Sequence, residues 1–296
     1  MFKIKKSLLC ISAISCMSLY ASIIQVENPI AIGNYKRSNT KVATGLTNTD
    51  YNYWLDGKTY VFNTKSSNNN IGWVAYKTVT IDKDYTLKLT TDCADMYYYA
   101  LYCLKTFTNN GNVTIDNYAT LDIDYYDTTT RNPIRDSNNN GTINVNKGYL
   151  GLYWRATLNN KGTITFKDSS YIVISDNSTL SNKGTIDISN ITDLSEWYNE
   201  DDTFTLKGGS TFILPKSILG DNNKIGSTGN TFKPITLSGT KDNPVNIVIP
   251  KGCEYIKDID NNNKDALFKA IQETTGFTFG ENKNNVKFSW QTSLDN

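Results

Sequence analysis

The 296-residue chain contains no histidine. That removes the usual base of serine and cysteine triads and the commonest zinc ligand. It has no surplus of charge of one sign, with 30 basic against 29 acidic residues. A near-neutral chain lacks the electrostatic footprint expected of a nucleic-acid binder. Long apolar runs are missing beyond the amino terminus, so no transmembrane helix is expected. Cysteine is scarce, five in all, which excludes a disulfide-dense scaffold.

The one apolar run stands at the start. Lys3, Lys5 and Lys6 precede an apolar stretch from Leu8 to Tyr20, and the small residue Ala21 follows. This is the pattern of a secretory signal peptide, and the stretch is too short to span a bilayer. Cys16 raises a lipoprotein box, but Ala13 stands where a larger aliphatic residue is usual, so the mature chain is expected to begin near Ser22. Without residues 1–21 the chain carries 27 basic and 29 acidic residues, a net charge of −2. Export places Cys93 and Cys103 in an oxidising compartment, where a disulfide closing a short loop is expected, with Cys253 left as a buried thiol.

What the chain has in quantity is a repeat. "LNNKGTITF" at Leu158 to Phe166 returns as "LSNKGTIDI" at Leu180 to Ile188. The frame is apolar-x-Asn-x-Gly-x-apolar-x-apolar, anchored on Gly111, Gly141, Gly162 and Gly184, with Ser137 its one irregular position. The anchors are 30, 21 and 22 residues apart, and the long step reads as one repeat plus an insertion. "TITF" and "TIDI" alternate polar and apolar residues as half-buried strands do. Asn-x-Gly ahead of them is turn chemistry, assigned to the tolerance of both residues for positive φ. Second alternating runs follow at Tyr118 to Ile123, Tyr149 to Tyr153 and Tyr171 to Ile174.

A β-sandwich and a stacked solenoid both explain short strands. Sandwich strands occupy different places and need not resemble one another at a fixed offset, whereas coil strands occupy the same place and do. The repeated Gly and Asn therefore point to an all-β parallel β-helix of about 21–22 residues per coil. Ile164 and Ile186 are expected to stack inside, Thr163 and Thr185 outside, and Asn160 over Asn182 in a bonded ladder.

The units "NNGTINV", "NNKGTITF" and "SNKGTIDI" resemble those of autotransporter passenger domains and related haemagglutinin-like exoproteins. The resemblance is clear between residues 105 and 190 and reaches from 75 to 250 at most. It implies a right-handed parallel β-helix on a Gram-negative cell surface. The sequence has no room for that family's translocator barrel, and "ENPIAIGN" is not the motif of two-partner secretion substrates. A truncated passenger, or another export route, is implied.

Four regions follow. Residues 1–21 are the signal peptide, and 22–74 a polar amino-terminal cap holding Trp54 and Trp73. Residues 75–250 form the β-helix, from "TVTI" at Thr78 to "VNIVI" at Val245 to Ile249. Residues 251–296 form a carboxy-terminal cap. That cap holds the one short helix, with an N-cap at Asn263, an apolar face of Leu267, Ala270 and Ile271, and a stop at Gly276.

Candidate chemistry is sparse. Asp122, Asp124 and Asp127, with Arg131 and Arg135 nearby, form the carboxylate grouping a carbohydrate-cleaving β-helix would use. Asp122 and Asp124 alternate with Leu121 and Ile123, so they read as the solvated outer face of one strand. Asp258, Asp260 and Asn262 sit at positions 1, 3 and 5 of a calcium-type loop. Asn263 replaces its glycine and Lys269 its bidentate glutamate, so a polar loop and helix cap is the reading. The dense tyrosines, "MYYYALY" at Met96 to Tyr102 and the pair Tyr125 and Tyr126, suit either a sugar- or protein-binding row or core packing.

The expected protein is exported across the inner membrane to the cell surface, outer membrane or medium. It is a non-catalytic interaction protein of adhesin type, without cofactor, whose partners are host or cell-surface glycans or proteins and not nucleic acid. A polysaccharide-degrading enzyme on the same scaffold, or a passenger fragment without function of its own, are the alternatives.

Overall fold

The computed structural model describes residues 24–26, 30–32, 51–56, 58–64, 73–75, 79–91, 98–103, 106–124, 136–199, 202–260 and 262–291. From Trp73–Ala75 to Thr211–Ile213 the described strands pass through three sheets in rotation; beyond that the described chain adds no further strand to the seven-stranded sheet. We name each sheet after a central strand. Among the described residues the 149–153 sheet has seven strands, the 157–160 sheet eight and the 163–168 sheet ten. Within each sheet, neighbours come from successive turns of the chain and pair in parallel. The exception is the hairpin of Tyr51–Asp56 with Thr59–Thr64, whose antiparallel first strand closes one edge of the ten-stranded sheet. This is a three-faced parallel β-solenoid, as the repeat implies.

One coil runs Thr157–Asn160, Thr163–Asp168 and Tyr171–Ile174, one strand on each face. The expected column is present. Val113 pairs with Ile143, Ile143 with Ile164, Ile164 with Ile186 and Ile186 with Phe212. All five side chains are buried. Thr163 and Thr185 point outward and are half-buried. The coil of Gly111 spans 30 residues without breaking register, because Asn138 and Asn139 still pair with Thr108 and Asn109.

The regular pairing begins before residue 75. Ile24–Val26 pairs with Trp73–Ala75, and Ile30–Ile32 with Val79–Ile81, so solenoid strands already occur in the region expected to be only a polar cap. At the other end Val286–Trp290 adds a strand beyond Val245–Ile249. The helix Lys264–Thr275 forms as expected. Asn263 Oδ1 accepts from Ala266 N at 3.1 Å, and Gly276 ends the helix at φ 80°. Leu267, Phe268 and Ile271 bury its inner side.

The glycine anchors work for a different reason from the one the sequence suggests. None of Gly111, Gly141, Gly162 and Gly184 has a left-handed φ. Each instead lies hard against the coil before it. A Cβ on Gly162 would sit 2.0 Å from the Gly141 carbonyl oxygen, and one on Gly184 would sit 2.0 Å from that of Gly162. In these coils left-handed residues stand at the other two corners, among them Asn117, Tyr118, Lys147, Trp154 and Asp176, while the glycine corner turns left-handed at Asp84 one coil before the anchors and at Gly209 one coil after them.

Candidate functional site

Beside the glycine column runs an internal asparagine ladder. Asn109 Nδ2 donates to Asn139 Oδ1 at 2.8 Å, Asn139 Nδ2 to Asn160 Oδ1 at 2.7 Å, and Asn160 Nδ2 to Asn182 Oδ1 at 2.7 Å. The second amide hydrogen is also used, on Thr142, Thr163 and Thr185 carbonyls. All four side chains are fully buried. Every amide atom in the middle of the ladder has a partner, so burial costs little and the register is fixed. Ile81 precedes the ladder in register and Leu206 follows it. These asparagines hold the coil together and, being fully buried, present nothing to a ligand.

The carboxylate pair requires a correction. Asp122 and Asp124 do lie on the outer side of strand Ala119–Asp124, since Leu121 and Ile123 fill the inside. They are not solvated: Asp122 is 0% and Asp124 4% exposed. Tyr102 pairs with Asp122 on one side and Gly151 on the other. Gly151 leaves room for the carboxylate, because a Cβ there would meet Asp122 Oδ1 at 2.3 Å and the Tyr153 ring at 2.4 Å. Thr120 Oγ1 donates weakly to Asp122 Oδ2 at 3.4 Å, while Oδ1 has no hydrogen-bond partner among the described residues. Burial, and next the charge of Asp124, push the Asp122 carboxyl well above the usual carboxylate range; the Thr120 bond opposes this. Asp127, Arg131 and Arg135 lie outside the described residues.

The tyrosines on this face are not filling inside the coil. Tyr149, Tyr153 and Tyr171 point outward between inward Leu150, Leu152 and Ile172, yet each is buried. Tyr149 and Tyr171 stack at 4.9 Å with rings 19° apart. Of the "MYYYALY" stretch, Tyr102 is half-buried, residues 98–100 are described as strand alone, and residues 96–97 lie outside the described residues, as do Tyr125 and Tyr126. A clue to this sealed face was legible: "YLGLY" puts tyrosines and a mid-strand glycine where a solvated face would carry polar side chains.

The calcium-type loop is built as a turn. Asp260 Oδ1 accepts from Asn262 N at 3.0 Å and from its Nδ2 at 3.3 Å, and Asn263 N donates to the Asp260 carbonyl at 2.9 Å. Asp258 and Asp260 join no group of three or more His, Cys, Asp or Glu side chains among the described residues. The disulfide expectation is also corrected. Cys103 is a free thiol on the inner side of its strand, where it pairs with Ile123 and is fully buried. Burial, then the charge of Asp122, push that thiol far up, so it is inert. Cys93 lies outside the described residues. Cys253 is a free buried thiol, as expected.

Together these features define a parallel β-solenoid with one sealed outer face, rich in tyrosine and carboxylate, and one open face of short polar side chains. Comparison with protein-family models, curated proteins and solved structures finds no match.

Proposed function

We propose that the chain is an exported, non-catalytic interaction protein of adhesin type, built like an autotransporter passenger. The observation that carries this reading is the open outer side of the ten-stranded sheet. Thr142, Thr163, Thr185 and Thr211 form one in-register column there, all half-buried, with Asn144, Thr165 and Asp187 in the next. Identical groups repeated at about 4.8 Å along a rigid axis suit a partner that itself repeats, through many weak contacts. The repeat units that resemble passenger domains, and the amino-terminal signal pattern, support surface or extracellular placement.

The enzyme alternative rests on Asp122 and Asp124. A carboxyl raised by burial beside a second carboxylate is the arrangement of a general acid. Its enclosure speaks against contact with a polymer, since Asp122 has no exposed surface. One experiment separates the two readings. The purified chain is presented to arrays of glycans and matrix-type proteins, and in parallel incubated with pectin, alginate and other polyuronides. Saturable binding without product release supports the proposal. Turnover that disappears in Asp122→Asn or Asp124→Asn would replace it with the enzyme reading.

A further inference from the structure

Beside the threonine column, at the corner that leads into it, three successive coils carry lysine, and the next coil has Ser238 at that place. Lys161, Lys183 and Lys207 each follow the inward residue of their coil, and those inward residues, Asn160, Asn182 and Leu206, pair in register. All three lysines are exposed, and none joins an ion pair among the described residues. Their backbones are therefore stacked at about 4.8 Å per coil.

The turn does not demand this. Asn110 and Asn140 hold the same corner in the two preceding coils, against the same glycine column, and Asn140 Nδ2 bonds Asn110 Oδ1 at 2.9 Å. In-register asparagines attract one another; in-register lysines repel. Three successive like charges thus work against the fold that carries them, on a chain whose charges otherwise balance.

The lysines border a shaped strip. Gly162 and Gly184 form a floor without side chains, held down because each is pressed against the coil before it. Thr163, Thr185 and Thr211 line the far side, each fixed by a backbone bond to the preceding coil's glycine carbonyl at 2.8–2.9 Å. In the last of the three coils Gly208 and Gly209 replace the single glycine, and the Thr240–Asn243 turn abuts them, so the strip ends there. In the first two coils the order across the strip is ammonium, bare backbone, hydroxyl; in the third, Asn243 lies over Gly208 and Gly209 between Lys207 and Thr211. Asp187, two residues past Thr185, is engaged by Ser189 N at 2.8 Å.

We infer that this strip binds an acidic polysaccharide laid along the solenoid axis, its carboxylates or sulfates on Lys161, Lys183 and Lys207 and its hydroxyls on the threonines. The inference rests on the interaction reading above and names the ligand class of its open face. A ridge one charge wide matches the single file of anions on a sugar chain. A nucleic-acid duplex presents two phosphate rows and calls for a broad basic surface.

The test uses the purified chain, heparin and alginate as probes, and dextran and duplex DNA as comparisons. Lys161→Gln/Lys183→Gln/Lys207→Gln is set against Lys147→Gln/Lys216→Gln/Lys251→Gln, which removes the same charge elsewhere. Heparin and alginate should bind at low salt and dextran should not. The first variant should lose about tenfold or more in affinity and lower the slope of log affinity against log salt by about 2, while the second stays close to the parent. Its thermal midpoint should not fall. Equal loss in both variants, DNA bound as tightly as heparin, no binding of either acidic polymer, or a lowered midpoint would each overturn the inference. Binding to neutral glycans or proteins that both variants retain would keep the interaction reading while ending this one.

Discussion

Two outer faces of one solenoid behave differently. On the ten-stranded sheet, Thr163 and Thr165 flank a buried isoleucine and meet solvent. On the seven-stranded sheet, Thr120, Asp122 and Asp124 flank equally buried residues and do not. The pleat and the period are the same. Alternation reports which side chains leave the coil; it does not report whether water awaits them. The second face is closed with tyrosine and relieved by Gly151, and burial holds its Asp122 carboxyl well above the usual carboxylate range.

The largest effect should come from the column that both faces depend on. Gly162→Val should cost more than about 4 kcal/mol, because any Cβ overlaps the Gly141 carbonyl oxygen. Denaturant unfolding of Gly162→Asn sharpens the point. If a left-handed backbone were the requirement, asparagine would be tolerated; crowding predicts a loss as severe as with valine. Next, Ile164→Ala should cost roughly 2–5 kcal/mol, measured the same way, since Ile164 is fully buried in its column.

The sealed face should respond to pH. The folded state holds the Asp122 proton more tightly than the unfolded chain, whose carboxyl has the usual value near 3.8. Stability is therefore full below that value and is lost as pH rises through the raised folded value. Asp122→Asn should flatten this fall and gain about 1 kcal/mol or more at pH 7 relative to the parent. Unfolding curves at pH 5 and pH 8 measure it, and an unchanged difference between the two proteins would mean that Asp122 is ionised and partnered. On the open face, Thr163→Ala should change stability by less than about 0.5 kcal/mol.

Much of the architecture was legible because a solenoid writes its contacts into its period. "NKGTI" repeated at 22 residues gave the Ile164–Ile186 column and the Asn160–Asn182 bond directly. The helix was legible from Asn263 and Gly276, whose capping is local. Three features were not. The role of Gly162 depends on the distance to the neighbouring coil, which no single repeat records. The burial of Asp122 depends on Tyr153 and Gly151, one coil away and about 30 residues on. Cys103 carries a strand position in its sequence context, but the inward direction that buries it comes from its register with Ile123. The lysine strip was visible as letters, yet its stacking emerged only with the coils aligned.

Residues of successive coils lie in one column regardless of their separation in sequence. Spin labels, one pair at a time, on a background without native cysteines, test it at Asn112, Thr142, Thr163, Thr185, Thr211 and Asn246, which occupy consecutive places in one column. Pulsed electron spin resonance from Asn112 should give distances that grow by about 4.8 Å per coil, reaching about 19 Å at Thr211 and about 24 Å at Asn246. The growth should be uniform although the sequence steps are not. Distances that fail to increase in coil order, or that follow the antiparallel neighbours of a sandwich, would rule out the solenoid.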